Sequence, residues 1–245
     1  MITILVVGAS SAIAKYVIRE LCSKDVSFIF AGRDISTLKD MAKDSVLRGA
    51  VDASTVHFDA SDSASVSSLI PAVLSRVQTI DICLIAHGIL PDQTKCNEDS
   101  DYLQTQYQVN CLSVIGICND IANHFENNQQ GCLAVISSVA GDFGKQSNYA
   151  YGSAKAALNI YLQGLRSRLY RHNVRVITIK PGFVDTPMTQ DFKKGFMWAQ
   201  PQAIAKQIVK TLTRGNGEYY LPGYWGIIMF VFKHVPEQIR ARLSL

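Results

Sequence analysis

Short β-branched, apolar runs alternate with helix-length amphipathic segments from the first residues onward, and this alternation is the strongest constraint on the fold. Ile2 to Val7 is a strand-length apolar run closed by Gly8, and Ser11 to Cys22 then spaces Ile13, Val17, Ile18 and Leu21 at helical intervals. The pattern repeats as strand Ser27–Ala31, helix Ile35–Leu47, strand Thr55–Phe58, helix Ser63–Val77 and strand Asp81–Ala86. It continues as a long helix Tyr102–Phe125, strand Cys132–Ser137, helix Ala150–His172 and strand Arg175–Ile179, which Pro181-Gly182 ends. An irregular flap within 186–200, spanning Met188 to Trp198, precedes helix Gln202–Leu212 and a last strand Glu218–Leu221.

Strands that are apolar on both faces belong in a parallel sheet covered on both sides. The expected architecture is therefore α/β: a single-domain, Rossmann-like, doubly wound parallel sheet of about seven strands with helices on both faces, which binds its ligand at the carboxyl ends of the strands. A length of 245 residues with 48% hydrophobic and 18% charged residues suits one such domain over 1–245 and excludes a disordered or fibrous chain. The net charge of +4 is too mild for a nucleic-acid partner, yet it is lopsided. Residues 193–245 hold 8 Lys/Arg against 2 Asp/Glu, while residues 1–192 hold 16 against 18. Six cysteines without CxxC spacing read as small apolar residues of a protein in a reducing, cytoplasmic compartment. The apolar start lacks a basic flank, so it reads as a buried first strand although Ala12-Ile13-Ala14 resembles a signal-peptidase site.

Gly8-Ala9-Ser10-Ser11-Ala12-Ile13-Ala14 lies between the first strand and first helix, where a tight turn aims backbone N–H groups at a pyrophosphate. Only one of the usual three glycines is present, with Ala12 and Ala14 at the other two positions. After the second strand, Ala31-Gly32-Arg33 offers a guanidinium suited to a ribose 2′-phosphate where a carboxylate would grip a 2′-hydroxyl, which favours NADP(H) over NAD(H); Asp34 beside it cuts the other way. Tyr151-Gly152-Ser153-Ala154-Lys155 places a phenol and an ammonium four residues apart on one helix face. A cation there is expected to lower the phenol pKa and make Tyr151 an acid–base group at a carbonyl. The five histidines lack metal-ligand spacing, and no metal is expected.

On these residues the chain resembles the short-chain dehydrogenase/reductase family in its compact form. The resemblance rests on the turn Gly8 to Ala14, Asp59 after the third strand, Asn110 in the long helix, Ser138, Tyr151-x-x-x-Lys155, and Pro181-Gly182 with Thr186. It implies that Tyr151 is the general acid/base, that Ser138 hydrogen-bonds the substrate carbonyl, and that Lys155 holds the nicotinamide ribose. Asn110 would hold a proton-relay water through its helix backbone. Cofactor contacts are implied for Gly8, Ser10, Ser11 and Ile13 at the pyrophosphate, Arg33 at the 2′-phosphate and Asp59 at the adenine. Pro181, Gly182, Val184 and Thr186 would meet the carboxamide. Ala86-His87-Gly88 replaces the family's Asn-Asn-Ala-Gly, so that loop's cofactor contacts are a departure.

The tail is the remaining feature. Tyr219 to Phe232 is apolar but interrupted by Pro222, Gly223 and Gly226, too short to span a bilayer, and a basic amphipathic stretch from Pro236 to Leu245 with Ile239 and Leu243 follows. It reads either as a buried lid or subunit interface, or as a segment at a membrane surface with Tyr224 and Trp225 among the headgroups. The second reading implies an amphiphilic substrate: a lipid-linked keto-sugar or an acyl or isoprenoid ketone. The expected activity is interconversion of a ketone and a secondary alcohol by a homodimer or homotetramer. The alternatives are a dinucleotide-binding regulator without turnover and the reductive half of a two-enzyme epimerase.

Overall fold

The computed structural model describes residues 1–240, so Leu243 and its neighbours in the basic stretch lie outside the described residues. Seven parallel strands, β1 (Ile2–Val7), β2 (Val26–Gly32), β3 (Asp52–His57), β4 (Ile82–Ile85), β5 (Gly131–Ile136), β6 (Val174–Pro181) and β7 (Gly217–Leu221), form one sheet in the order β3-β2-β1-β4-β5-β6-β7. Ten α-helices are described: α1 (Ala12–Leu21), α2 (Ile35–Leu47), α3 (Ser63–Leu74), α4 (Gln93–Glu98), α5 (Ser100–Tyr107), α6 (Ser113–Asn128), α7 (Tyr149–Leu169), α8 (Pro201–Arg214), α9 (Tyr224–His234) and α10 (Glu237–Arg240).

The period-two alternation of the strands divides the core. On β1, Leu5 and Val7 face a cluster built with Val66, Ile117, Phe125, Leu158 and Leu162 of α3, α6 and α7. Ile4 and Val6 face the other way, against Val17, Leu38 and Ile208 of α1, α2 and α8. The doubly wound sheet is thus closed on both faces, as its apolar strands require. Strand order reverses between β1 and β4, where Val7 pairs with both Ala31 and Ile85, and the crevice opens outside their carboxyl ends.

Two departures from the sequence pattern bear on function. The single helix expected over Tyr102–Phe125 is divided: a π-turn at Gln108–Leu112 separates α5 from α6, and the Ser113 N–H donates to Gln108 O, five residues back. The apolar tail is likewise two elements. Pro222-Gly223 ends β7, and α9 then buries Trp225 and Met229 against Val139, while Ile227, Phe230 and Val231 stand exposed on its outer face. β3 begins three residues before the expected Thr55 because polar Asp52 and half-buried Ala53 and Ser54 form an outer strand with little apolar signal. Among the described residues no helix is long and apolar enough to cross a membrane.

Candidate active site

A cavity of about 390 Å³ opens at the carboxyl ends of β1, β4, β5 and β6. Its lining includes Ser10, Ser11, Ile13, Ala86, His87, Gly88, Ser138, Tyr151, Lys155, Pro181, Gly182, Val184 and Thr186, which were far apart in sequence. Gly8, just outside the lining, turns the chain at φ +76°, and a Cβ there would come within 2.6 Å of the His87 backbone nitrogen, so only glycine fits this turn. Ser11 caps α1 by accepting from the Ala14 N–H at 3.2 Å. The Ala12 and Ile13 N–H groups are left without intrahelical partners at the head of the helix, where the macrodipole is positive. Ala14 is fully buried and Ala12 lines the cavity, so both alanines are accommodated. These features suit a pyrophosphate.

Arg33 and Asp59 stand outside the cavity, at the adjoining ends of β2 and β3. Arg33 is exposed and close enough to Asp59 to favour its ionised form, although hydrogen bonds from Ser61 do more to hold that carboxyl below its ordinary range. The competing carboxylate, Asp34, is engaged in capping α2, accepting from Thr37 N–H at 3.1 Å and Thr37 Oγ1 at 2.6 Å.

His87 is the departure that sequence could not place. Ser113 Oγ donates to Val109 O at 2.9 Å, so it accepts from the His87 ring at 2.9 Å and fixes the imidazole proton on Nε2. Nδ1 is buried without a partner. Burial, and then the charge on Lys155, push this imidazole down to about 3, so it stays neutral. Asn110 sits behind the same loop within the π-turn, its Oδ1 accepting from Ile89 N–H at 2.9 Å and its buried Nδ2 unpartnered. A π-turn loosens the helical ladder at this residue.

Tyr151 and Lys155 lie on the first turns of α7, which comes close to the loop after β5 because position 152 has no side chain: a Cβ on Gly152 would meet Ala140 O at 2.8 Å. Ser138 Oγ accepts from Ala140 N–H at 3.1 Å, which leaves its own proton to donate. The Lys155 ammonium lies 5.7 Å from the Tyr151 ring centroid and 3.5 Å from Ile136 O. The expected lowering of the phenol is not found. Burial pushes Tyr151 up to about 12, outweighing a hydrogen bond with Ser138, and pushes Lys155 down to about 8. Desolvation dominates for both groups, so the phenol stays protonated.

The far end of the cavity was not identified from sequence as one surface. Phe143, Phe183, Phe192, Trp198 and Met229 line it, with Phe183 stacked on Trp198 at 5.2 Å and edge-on to Trp225 at 5.1 Å. Met188 and Trp198 of the flap both reach it. Beneath it lies a buried ionic cluster: Lys180 Nζ contacts Asp142 Oδ1 at 2.9 Å and Glu218 Oε2 at 2.6 Å, and Asp142 Oδ2 also meets Tyr220 OH at 2.5 Å and Lys233 Nζ at 3.2 Å. The available signal was Lys180 itself, a charge inside an otherwise apolar strand.

The family model described as short chain dehydrogenase matches residues 2–195. An uncharacterized oxidoreductase of Mycobacterium tuberculosis is 28% identical over 219 residues, covering 89% of this chain and 88% of its own. The ketoacyl reductase HetN of Nostoc is 25% identical over 221 residues, covering 88% and 77%. The fold superposes on actinorhodin polyketide ketoreductase, solved with NADPH, with a TM-score of 0.81 and 18% identity over 92% of this chain and 97% of that one. With a phenol, a hydroxyl and an ammonium gathered beside a dinucleotide-type turn, and that match over most of the length, the chain belongs to the short-chain dehydrogenase family and is an NAD(P)-dependent oxidoreductase.

Proposed function

We propose that the protein reduces ketones to secondary alcohols with NADP(H), reversibly, and that Tyr151 is its general acid/base. The observation that carries this reading is the protonated Tyr151 phenol beside Ser138 and Lys155 in a cavity that also receives the head of α1. The α1 turn (Gly8, Ser10, Ser11, Ile13) would hold the pyrophosphate, Arg33 the 2′-phosphate, and Asp59 the adenine. Ala86, His87 and Gly88, with Pro181, Gly182, Val184 and Thr186, would frame the nicotinamide end. When bound, the nicotinamide supplies or accepts the hydride at the carbonyl carbon. The Ser138 hydroxyl, its acceptor side already taken by Ala140, donates to the carbonyl oxygen. Tyr151 gives that oxygen its proton as negative charge develops, and Lys155 stabilises the phenolate left behind. Asn110, through the backbone of the loosened π-turn, would hold a water that relays protons between Lys155 and solvent.

The same reading makes 1–245 one catalytic domain in which 186–200 closes over the substrate as a flap. The NADPH in the solved ketoreductase and the exposed Arg33 after β2 support NADP(H) over NAD(H). Exposed Leu112 of the π-turn and Ile160 of α7 would lie in the interface of a homodimer or homotetramer. The apolar outer face of α9 suits delivery of an amphiphilic ketone from a lipid surface. The test is NADPH oxidation across a panel of 3-oxoacyl thioesters, isoprenoid ketones and keto-sugars; a chain that binds NADPH and oxidises it with none of them, in either direction, is a dinucleotide-binding regulator instead.

A further inference from the structure

Lys145 is a cation in this cavity that the proposed redox chemistry does not use. It follows the loop after β5, and the turn that carries it is fixed by Asn148 N–H donating to Lys145 O at 3.1 Å just before α7 begins. Its Nζ lies over two aromatic faces, 5.4 Å from the Phe143 centroid and 5.7 Å from the Phe183 centroid. No carboxylate among the described residues lies within 4.0 Å of it, and none lines the cavity at all. The nearest acid in sequence, Asp142, is committed to Lys180, Lys233 and Tyr220. Burial disfavours the ammonium, and aromatic faces offset only part of that cost. The cavity therefore presents a half-buried positive charge with no counterion among the described residues, beside Phe143, Phe183, Phe192, Trp198, Met188 and Met229.

We propose that Lys145 anchors an anionic group, a carboxylate, phosphate or sulfonate, carried on the same molecule as the carbonyl that Ser138 and Tyr151 act on, so that the substrate class is an acidic ketone with an apolar body. This rests on the redox reading for the word ketone, but not for the recognition of the anion. Lys145 belongs to the aromatic end of the cavity, whereas the cofactor phosphates are assigned to the α1 head and Arg33. Its role is therefore substrate selection.

The test is a pair of fluorescent probes of one skeleton, anilinonaphthalene sulfonate and neutral N-phenylnaphthylamine, titrated into the full chain saturated with NADP⁺. The wild-type protein is expected to bind the sulfonate about tenfold or more tightly than the neutral probe. Lys145→Met is expected to erase that preference, leaving the neutral probe and NADP⁺ affinities within about twofold, and Lys145→Arg to restore it. A wild-type protein without preference, or a preference that survives in Lys145→Met, overturns the assignment. So does an equal loss of NADP⁺ affinity, which would give the charge to the cofactor. Absence of NADPH oxidation with every carbonyl tested sinks the redox reading alone and leaves this binding result standing.

Discussion

Lys180→Met isolates the ionic cluster that ties the tail to the catalytic loop. The Lys180 side chain is 2% exposed and lies between Asp142, equally buried, and the half-buried Glu218, so its removal leaves one fully buried carboxylate short of a cation and one that water reaches only in part. Removing one partner of a buried ion pair costs roughly 3–5 kcal/mol. Asp142 retains Tyr220 and Lys233, and Glu218 retains a hydrogen bond from Gln163 at 2.7 Å, so the lower end, about 3 kcal/mol, applies. For a chain of this length that is a fall in Tm of about 6–12 °C. The pH dependence has a definite sign. Burial alone would raise both carboxyls, but hydrogen bonds from Tyr220 and Lys180 hold Asp142 below its ordinary range, and those from Lys180 and Gln163 do the same for Glu218. A depressed acid contributes stability that is full above the unfolded pKa, about 4, and is lost as pH falls through the folded value. The difference between wild type and variant, measured by urea unfolding, is therefore full at neutral pH and narrows in acid. A difference below about 1 kcal/mol at neutral pH, or one that is flat with pH, refutes the reasoning.

Tyr151→Phe is expected to lower kcat by about 10²–10⁴-fold with NADPH affinity unchanged, read by steady-state kinetics and fluorescence titration; a variant with near wild-type turnover removes the phenol from the mechanism. NADPH affinity of the free enzyme is expected to fall as pH rises through about 8, where Lys155 loses its proton, and Lys155→Met to flatten that profile; a wild-type profile that is already flat there contradicts the assignment. Arg33→Ala is expected to cut the preference for NADPH over NADH by about tenfold or more, corresponding to one charge-assisted hydrogen bond, and equal loss with both cofactors would place the guanidinium elsewhere. On anionic liposomes the wild-type chain is expected to float and Phe230→Glu to remain in solution; if neither floats, the outer face of α9 has no affinity for lipid.

The parts of the molecule legible in sequence are those whose signal is local. The βα alternation survived because the central strands are buried on both faces, and the Tyr151–Lys155 pair survived because four residues make about one helical turn wherever the helix sits. What sequence could not supply depends on contacts made across the sheet. Nothing in Gln108–Leu112 breaks a helix by composition; Asn110 is held to the loop after β4 by Ile89, and that tertiary bond accompanies the π-turn. The tail reads as uniformly apolar, yet one side of α9 seals the cavity through Trp225 and Met229 while the other faces outward, a division that exists only once the loop carrying Val139 is in place. The tyrosine is the instructive case. Spacing alone argues that an ammonium one turn away lowers the phenol, but the same burial that brings the two together desolvates both, and the larger effect runs in the opposite direction. The phenol of the free site thereby stays protonated, and burial alone makes it a weaker acid. In the mechanism proposed above, the phenolate would have to be stabilised by Lys155 once ligands have excluded water, which would couple cofactor binding to acid–base competence through that one ammonium.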